Sequence, residues 1–468
     1  EYIEASNIYQ KIIDKDKKNI GAVFSYNFCK MHLADWGNLC EVNYNNDHIN
    51  HSRNLIIPFQ ALISKDDPEF QNKVSKNWDE VKLKNYLKSN ITAASKNKKI
   101  KIAYFSSDYF DHATMYLMSG LLRSHDKNSF EIYLMSYGKP KKSNILNKVK
   151  KYVNYFKDIS LLSNGDIVKL SRELQFDIAI DLKGYTFDSK CEIFASRLAP
   201  IQLSFLGYPG SVSKNFIDYL IADKIVIPDQ QRKHYSEKII FLPNCYQPND
   251  NLREISNLKS SKKDFDLDKN STIFCCFNNT FKITPEEFTI WLNILKKIDN
   301  SLLWLIDTND VAKTNIINFT KKFGVESERI KFAKFLPQAE HLERLRHADL
   351  FLDTFNYNAH TTCSDALWAG VPVVTKQGKQ FSARVASSLL KSVDLKYLIT
   401  NSNEEYSKLI IKLASDKSKL QEIKVHLTKN RSKFELFNTT KYTSSFEKAL
   451  KHIYDESKKG KKPKDLKV

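Results

Sequence analysis

The chain has 468 residues, 42% of them hydrophobic and 27% charged, which exceeds one ordinary core and suits two globular units plus an extra segment. Its formal net charge of +19 would suit an anionic partner, but the lysines are spread along the chain with few arginines and no basic-aromatic motif of RNA readers. An AT-rich codon bias accounts for that charge, nucleic acid is not the expected partner, and with no run of about 18 apolar residues neither is a membrane.

Residues 1 to 95 read as helical. In "EASNIYQKIIDKDKKN" Ala5, Tyr9, Ile12 and Ile13 share one helical face. The spacing fits the second helix of a tetratricopeptide repeat, and it equally fits an ordinary amphipathic helix. The opening "EYIEASNIYQ" lacks an initiator Met and a signal peptide and starts inside this pattern, as a piece cut from a longer protein would. After the lysine-rich "SKNKK" (95–99) the pattern changes to short apolar runs alternating with amphipathic segments. "IKIAYFSS" predicts a strand, "TMYLMSGLLRSH" a helix, "EIYLMSYG" a strand and "GDIVKLSRELQ" a helix. "FDIAIDLKG", "IQLSFLGYPG" and "KIIFLPN" predict further strands, with a short helix at "CEIFASR". Apolar strands separated by helices indicate a parallel sheet covered on both faces.

The polar stretch 247 to 271 predicts a linker. The alternation then restarts: "TIFCCFNN", "SLLWLID", "RIKFAKFLP", "LFLDTF" and "VPVVTK" as strands, "TPEEFTIWLNILKKI", "QAEHLERLRHA", "TTCSDALWAG" and "SARVASSLLKSV" as helices. Helical patterns continue to about 455, and "ESKKGKKPKDLKV" predicts a disordered tail. The expected domains are a helical segment (1–95), a Rossmann-like unit (96–248), a linker (249–270), a second Rossmann-like unit (271–435), and a C-terminal helix with a basic tail (436–468). Seven cysteines (29, 40, 191, 245, 275, 276, 363) form no C-x-x-C pair and no metal spacing, which suits free thiols in a reducing compartment and a cytoplasmic location.

Parallel sheets bind ligands beyond the carboxyl ends of their strands, where helix N-termini favour phosphate. In the second unit the residues at those ends are Asn279 and Lys282; Gln338, His341 and Arg344; and His360, Thr361, Thr362 and Asp365. Each has a plainer reading. Lys282 could be a solvated lysine, although a cation is disfavoured at a helix start. His341 and Arg344 could form an exposed helix face, and Thr361 or Thr362 with Asp365 could form a capping box. Gathered at one rim, they point to a phosphate-bearing ligand. No G-x-G-x-x-G follows the first strand of either unit and there is no Walker lysine, so neither a dinucleotide nor a P-loop site is expected. "DFDLD" (264–268) precedes a strand rather than following one, so no metal is expected there. In the first unit Asp108, Asp111 and His112 follow a strand; His112 is either a general base or a helix-start residue beside a capping Asp.

The segments "SSDYFDHATMYLM", "RLAPIQLSFLGYPGS", "FNNTFKITP", "HTTCSDALWAG" and "LWAGVPVV" resemble the catalytic region of the O-linked N-acetylglucosamine transferase family, including its plant SPINDLY branch and bacterial homologues. The likeness runs from about residue 20 to 455. It implies an α/β GT-B fold of two Rossmann-like units preceded by tetratricopeptide repeats, in the compact bacterial arrangement. It implies a metal-independent, inverting transfer from UDP-GlcNAc to Ser or Thr of a protein, with no cofactor besides the donor. Carried over, Lys282 binds the diphosphate and stabilises the leaving group, with Asn279 near the phosphates. Thr361 and Thr362 hold the β-phosphate, and His360 lies near sugar and phosphate. His341 stacks on the base with Arg344 beside it, Asp365 reaches the ribose or sugar, and His112 faces the acceptor. Gln338 replaces a ribose-contacting Lys, and Arg172 stands near a second active-site His of the animal enzyme. "SDYFDH" is closer to the SPINDLY branch, so GDP-fucose transfer is the alternative donor chemistry. A non-catalytic scaffold that binds proteins through its helical segment is the alternative function.

Overall fold

A computed structural model describes residues 1–41, 55–86 and 98–468 of the chain. Its strands, in chain order, are β1 (Ile100–Ser106), β2 (Phe130–Ser136), β3 (Tyr155–Asp158), β4 (Ile178–Asp181), β5 (Ile201–Ser204), β6 (Tyr219–Ala222), β7 (Lys238–Phe241), β8 (Thr272–Cys276), β9 (Ser301–Ile306), β10 (Ile330–Ala333), β11 (Leu350–Leu352), β12 (Val373–Lys376), β13 (Ile399–Thr400) and β14 (Leu466–Lys467). The chain forms two compact units, residues 1–67 with 253–434 and residues 68–252 with 435–468. The helical segment expected over 1–95 is therefore divided between them. Part of the "SKNKK" boundary falls outside the described residues.

The unit built on residues 68–252 carries one parallel sheet in the order β14-β7-β6-β5-β4-β1-β2-β3. Every residue of β4, β5 and β6 is buried, as the continuous apolar runs require of strands covered on both faces. Helix Ala113–Ser124 covers one stretch with Met115, Met118 and Leu121, and helix Thr439–Lys458 adds Phe446, Leu450 and Ile453 to the same core. The expectation of a disordered tail is corrected. The helix runs to Lys458, and Leu466 and Lys467 then pair with Ile240 and Phe241 as an edge strand. Asp465 fixes that register by accepting from the Arg232 guanidinium at 2.6 and 2.7 Å and from the Ile239 N–H at 3.0 Å. A lysine-rich edge strand hides its pairing edge well, and its composition resembles that of a solvated tail.

The other unit carries a parallel sheet in the order β10-β9-β8-β11-β12-β13. Helix Tyr2–Lys15 packs on helix Ile20–His32, which in turn meets helix Pro58–Ser64 and the Thr280–Lys282 turn of this unit. Trp36 meets the rings of Phe288 and Phe319 at 4.9 and 5.2 Å, and Asp66 accepts from the Lys379 and Gln380 N–H groups at 2.7 and 2.8 Å. The predicted linker is less solvated than its polarity suggests. Gln247, Asn249 and Asp250 are buried, and Arg253 forms a buried ion pair with Asp365 at 2.7 Å. The carboxylates of "DFDLD" point to separate partners: Asp264 to Ser261, Asp266 to Lys331 and Asp268 to Ser271.

Candidate functional site

The order of each sheet reverses at one place, between β1 and β4 in one unit and between β8 and β11 in the other. Adjacent strands there send their connections to opposite faces, which leaves a crevice at their carboxyl ends. The predicted residues sit at these two switch points.

In the β8–β11 unit, β8 ends at Cys276 and the chain turns through a short 3-10 segment, Thr280–Lys282. Thr284 and Glu287 then form a capping box that starts helix Pro285–Lys297, so Lys282 lies just before a helix rather than in it. The Lys282 ammonium donates to the Asn358 carbonyl at 3.1 Å and lies 4.2 Å from the centre of the Tyr357 ring. Burial pushes its pKa down to about 8, against the upward pull of Asp353. Asp353 follows β11 and is fully buried. It accepts from the N–H groups of Thr354 and Ala359 at 2.9 and 2.6 Å and from the Thr375 hydroxyl at 2.6 Å. Burial nonetheless raises its pKa to about 7.

Helix Thr361–Ala369 begins directly across from Lys282's loop. Its N-cap is His360, with no side-chain capping bond. The capping-box alternative for Thr362 and Asp365 is thereby excluded: the helix starts two residues too early for it. The Thr362 hydroxyl instead donates to Asn278 Oδ1 at 2.7 Å, and the Asn278 amide donates to Thr354 at 2.9 Å, which ties the β8 and β11 loops together. His360 stacks on Tyr357 (centroids 4.7 Å apart, 21° between planes). Its Nε2–H donates to the Ser382 carbonyl at 3.2 Å, which leaves Nδ1 as an acceptor. Burial, with Lys282 adding to it, holds its pKa well below the ordinary range, so the ring is neutral. Thr361 is half-buried at the first helical position.

The remaining residues join the same surface. Phe277, just past β8, contacts the His341 ring at 5.5 Å and the Arg344 guanidinium at 5.1 Å. Arg344 is buried, not part of an exposed face. It donates to His341 Nδ1 from Nε at 3.2 Å and also bonds the Lys334 carbonyl. Burial, then Arg344, lowers the His341 pKa to about 3. Burial raises the Asp365 pKa against the pull of Arg253, and the buried Gln338 Nε2 has no hydrogen-bond partner among the described residues. Asn279 is exposed on the β8 loop. Residues not singled out from the sequence complete the set: Asp353, Tyr357, Asn358, Ser382 and Arg253. Asp353 could have been found, since a carboxylate closing the apolar run "LFLD" needs a reason.

In the β1–β4 unit, His112 is the N-cap of helix Ala113–Ser124. Its Nδ1 lies 3.3 Å from the Thr114 N–H and 3.5 Å from Asp108 Oδ2. Asp108 also pairs with the buried Lys183 ammonium at 2.7 Å. Burial lowers the His112 pKa; Asp108 pulls it up, and Lys183 and Lys141 push it down. Lys183 follows β4, so the strand-end reading applied to the other unit would have found it. Arg172 lies elsewhere, donating to the Ser196 carbonyl at 2.8 Å. Among the described residues no cluster of three or more His, Cys, Asp or Glu is arranged to hold a metal, and no helix is long and apolar enough to cross a membrane.

Two Rossmann-like parallel sheets, each with polar residues converging at its switch point, define a GT-B-type protein. The chain belongs to glycosyl transferase family 41, whose pattern matches residues 72–260 and 251–446. It is similar to the probable UDP-N-acetylglucosamine–peptide N-acetylglucosaminyltransferase SEC of Arabidopsis thaliana, 34% identical over 377 residues that cover 79% of this chain. It is also similar to the probable enzyme of the same activity named SPINDLY in Petunia hybrida, 28% identical over 76% of this chain. The chain spans 39% of the length of each of these two relatives. Among solved structures, a mutant of the Thermobaculum terrenum O-GlcNAc transferase superposes with a TM-score of 0.81 at 22% identity, over 98% of this chain and 88% of that one, and shares the fold.

Proposed function

We propose that this chain transfers N-acetylglucosamine from UDP-GlcNAc to serine or threonine hydroxyls of proteins, in one inverting displacement that uses no metal or other cofactor. The observation that carries the reading is the Lys282 ammonium at the β8–β11 switch point, facing the start of helix Thr361–Ala369. A fixed cation opposite a helix N-terminus is a diphosphate site, and it supplies charge where the leaving group develops it. The names of the plant relatives, each a probable UDP-N-acetylglucosamine–peptide N-acetylglucosaminyltransferase, support the same donor and acceptor.

In this reading Lys282, Asn279, Thr361 and Thr362 hold the diphosphate, and neutral His360 lies at the sugar-phosphate. His341, oriented by Arg344, stacks on the base, while Gln338 and Asp365 reach the ribose. The acceptor oxygen bonds to the sugar's anomeric carbon as the bond to the β-phosphate oxygen breaks. His112 takes the hydroxyl proton at Nε2 in the tautomer whose Nδ1–H donates to Asp108, a state in which Nδ1 releases the capping bond it accepts from the Thr114 N–H. The N-terminal helices are the acceptor-binding end of a repeat array.

A thermal-shift screen of UDP, GDP and their sugars, paired with a peptide-transfer assay, tests this. UDP and UDP-GlcNAc should raise the melting temperature. Lys282→Ala should abolish transfer while retaining the folded circular dichroism spectrum, and chelators should leave wild-type transfer unchanged. Stabilisation by GDP and GDP-fucose alone would move the assignment to fucose transfer, which the "SDYFDH" segment favours. No stabilisation by any nucleotide would leave a protein-binding scaffold.

A further inference from the structure

The candidate acceptor side carries a feature that the transfer chemistry does not use. Between β2 and β3, residues 139 to 151 contain six lysines and no acidic residue. Lys139, Lys141 and Lys142 are exposed on the loop that leaves the carboxyl end of β2. Because β1 and β2 are parallel and in register from Ile100↔Phe130 to Ser106↔Ser136, that loop emerges on the same rim as His112. The two loops are in contact. Gly138 lies so close to Ser107 that a Cβ there would sit 2.2 Å from the Ser107 carbonyl oxygen. Ser143 donates to Asp111 at 3.1 Å, and the Lys141 ammonium lies 3.7 Å from the centre of the Phe110 ring, itself 5.4 Å from the His112 ring.

The negative charges nearby are mostly engaged. Asp108 pairs with Lys183 at 2.7 Å, and Asp111 accepts from Ser143 and from the Ile145 N–H at 3.4 Å; Asp188, past β4, is exposed. Among the described residues none of the six lysines forms an ion pair within 4.0 Å. Six uncompensated cations in 13 residues, three of them on the rim beside His112, go beyond a dispersed lysine excess.

We infer that the preferred acceptor is a peptide whose target serine or threonine is flanked by aspartate or glutamate, held through Lys139, Lys141 and Lys142. The inference rests on the transferase reading above for the identity of the acceptor; the charge and its place on the rim are independent of it. Exposed pairs steer and select more than they bind. Three of them supply a preference of roughly five- to thirtyfold, weakened by salt.

Two serine peptides of equal length, one with acidic and one with neutral flanks, form the test. Binding is read by fluorescence anisotropy and transfer by kcat/KM, from about 0.05 to 0.5 M salt, where screening becomes strong. The acidic peptide should bind and react better at low salt, and the two should converge at high salt. In the Lys139→Gln/Lys142→Gln variant the acidic-to-neutral ratio should fall towards one. Transfer to both peptides at equal kcat/KM and equal affinity would overturn the inference and leave the transferase reading standing. Preferential binding of the acidic peptide without transfer to either would overturn the transferase reading alone. A single-stranded RNA of matched charge that displaces the acidic peptide far below the peptide's own Kd would overturn the inference in favour of nucleic acid. The wild-type salt dependence decides the matter even where the variant fails to fold.

Discussion

At the residue scale the candidate donor site depends on keeping one buried ammonium charged. Burial drives Lys282 towards its neutral form, and the carboxylate of Asp353 is the charge that opposes this most strongly. Lys282 acts as the cation, so kcat/KM should be lost as pH rises through about 8, the value to which its pKa is lowered. Removing the opposing charge with Asp353→Asn should move that alkaline limb to lower pH, by about one pH unit for a single nearby charge. Asparagine can keep the local bonds, since its oxygen accepts from the Thr354 and Ala359 N–H groups and its amide can donate to Thr375. A pH profile of kcat/KM for both proteins checks this; superimposable alkaline limbs would show that Asp353 carries no charge where Lys282 works. The plain reading of Lys282 as a solvated lysine does not survive the 3.1 Å bond to the Asn358 carbonyl and the Tyr357 ring beneath it.

At the scale of elements, helix Thr361–Ala369 is the part whose position matters most, and it is fastened at both ends. Its start is tied through Thr362 to Asn278, while Gly370 (φ +89°) closes it in the left-handed conformation. Between them, Asp365 pairs with Arg253 at 2.7 Å, both almost fully buried, and the Arg253 and Arg431 guanidinium groups lie 5.0 and 4.8 Å from the Trp368 ring. Truncating one member of a buried pair strands the other charge. Asp365→Ala should therefore cost about 3–5 kcal/mol in chemical denaturation, whereas the Arg253→Met/Asp365→Leu pair should recover most of that loss. A double variant as unstable as the single one would show that the charges themselves hold the helix. The helix and its strand were legible in "LFLDTF" and "TTCSDALWAG" because apolar period and rim polarity agree there. Arg253 was not, because it sits in a polar stretch where nothing local marks a charge for burial. Strands β3 and β13 escaped for a related reason: they are short, and pairing with a neighbouring strand, rather than their own pattern, makes them strands.

At the scale of the whole molecule, the two parallel sheets were legible because every central strand is an apolar run, whereas the division into units was not. That division depends on which surface the N- and C-terminal helices pack against, which amphipathic patterns do not encode. Burial of charge is likewise a property of the assembled chain, and its consequences can be summed. Burial raises the pKa of Asp79, Glu287 and Asp353 to about 7 and of Asp181 to about 6. It lowers His32 to about 4 and His341 to about 3, and it lowers His112, His347 and His360 as well. Between about pH 5 and 6.5 the native state holds carboxyl protons that the unfolded chain has released, so these four groups make stability fall as pH rises. Over the same range the unfolded chain holds histidine protons that the native state has shed, so the five histidines make stability rise. The two sets of groups pull the folding free energy, as read from urea titrations, in opposite directions across this window. Single substitutions should tip it. Glu287→Gln removes one falling contribution, so stability should climb with pH relative to wild type by on the order of 1 kcal/mol per pH unit. His32→Phe keeps the stack on Tyr2, whose ring lies 4.0 Å away, and removes one rising contribution, so stability should decline with pH relative to wild type. If both variants keep the wild-type slope, these side chains titrate in the native protein as they do in the unfolded chain, and burial does not set their charge.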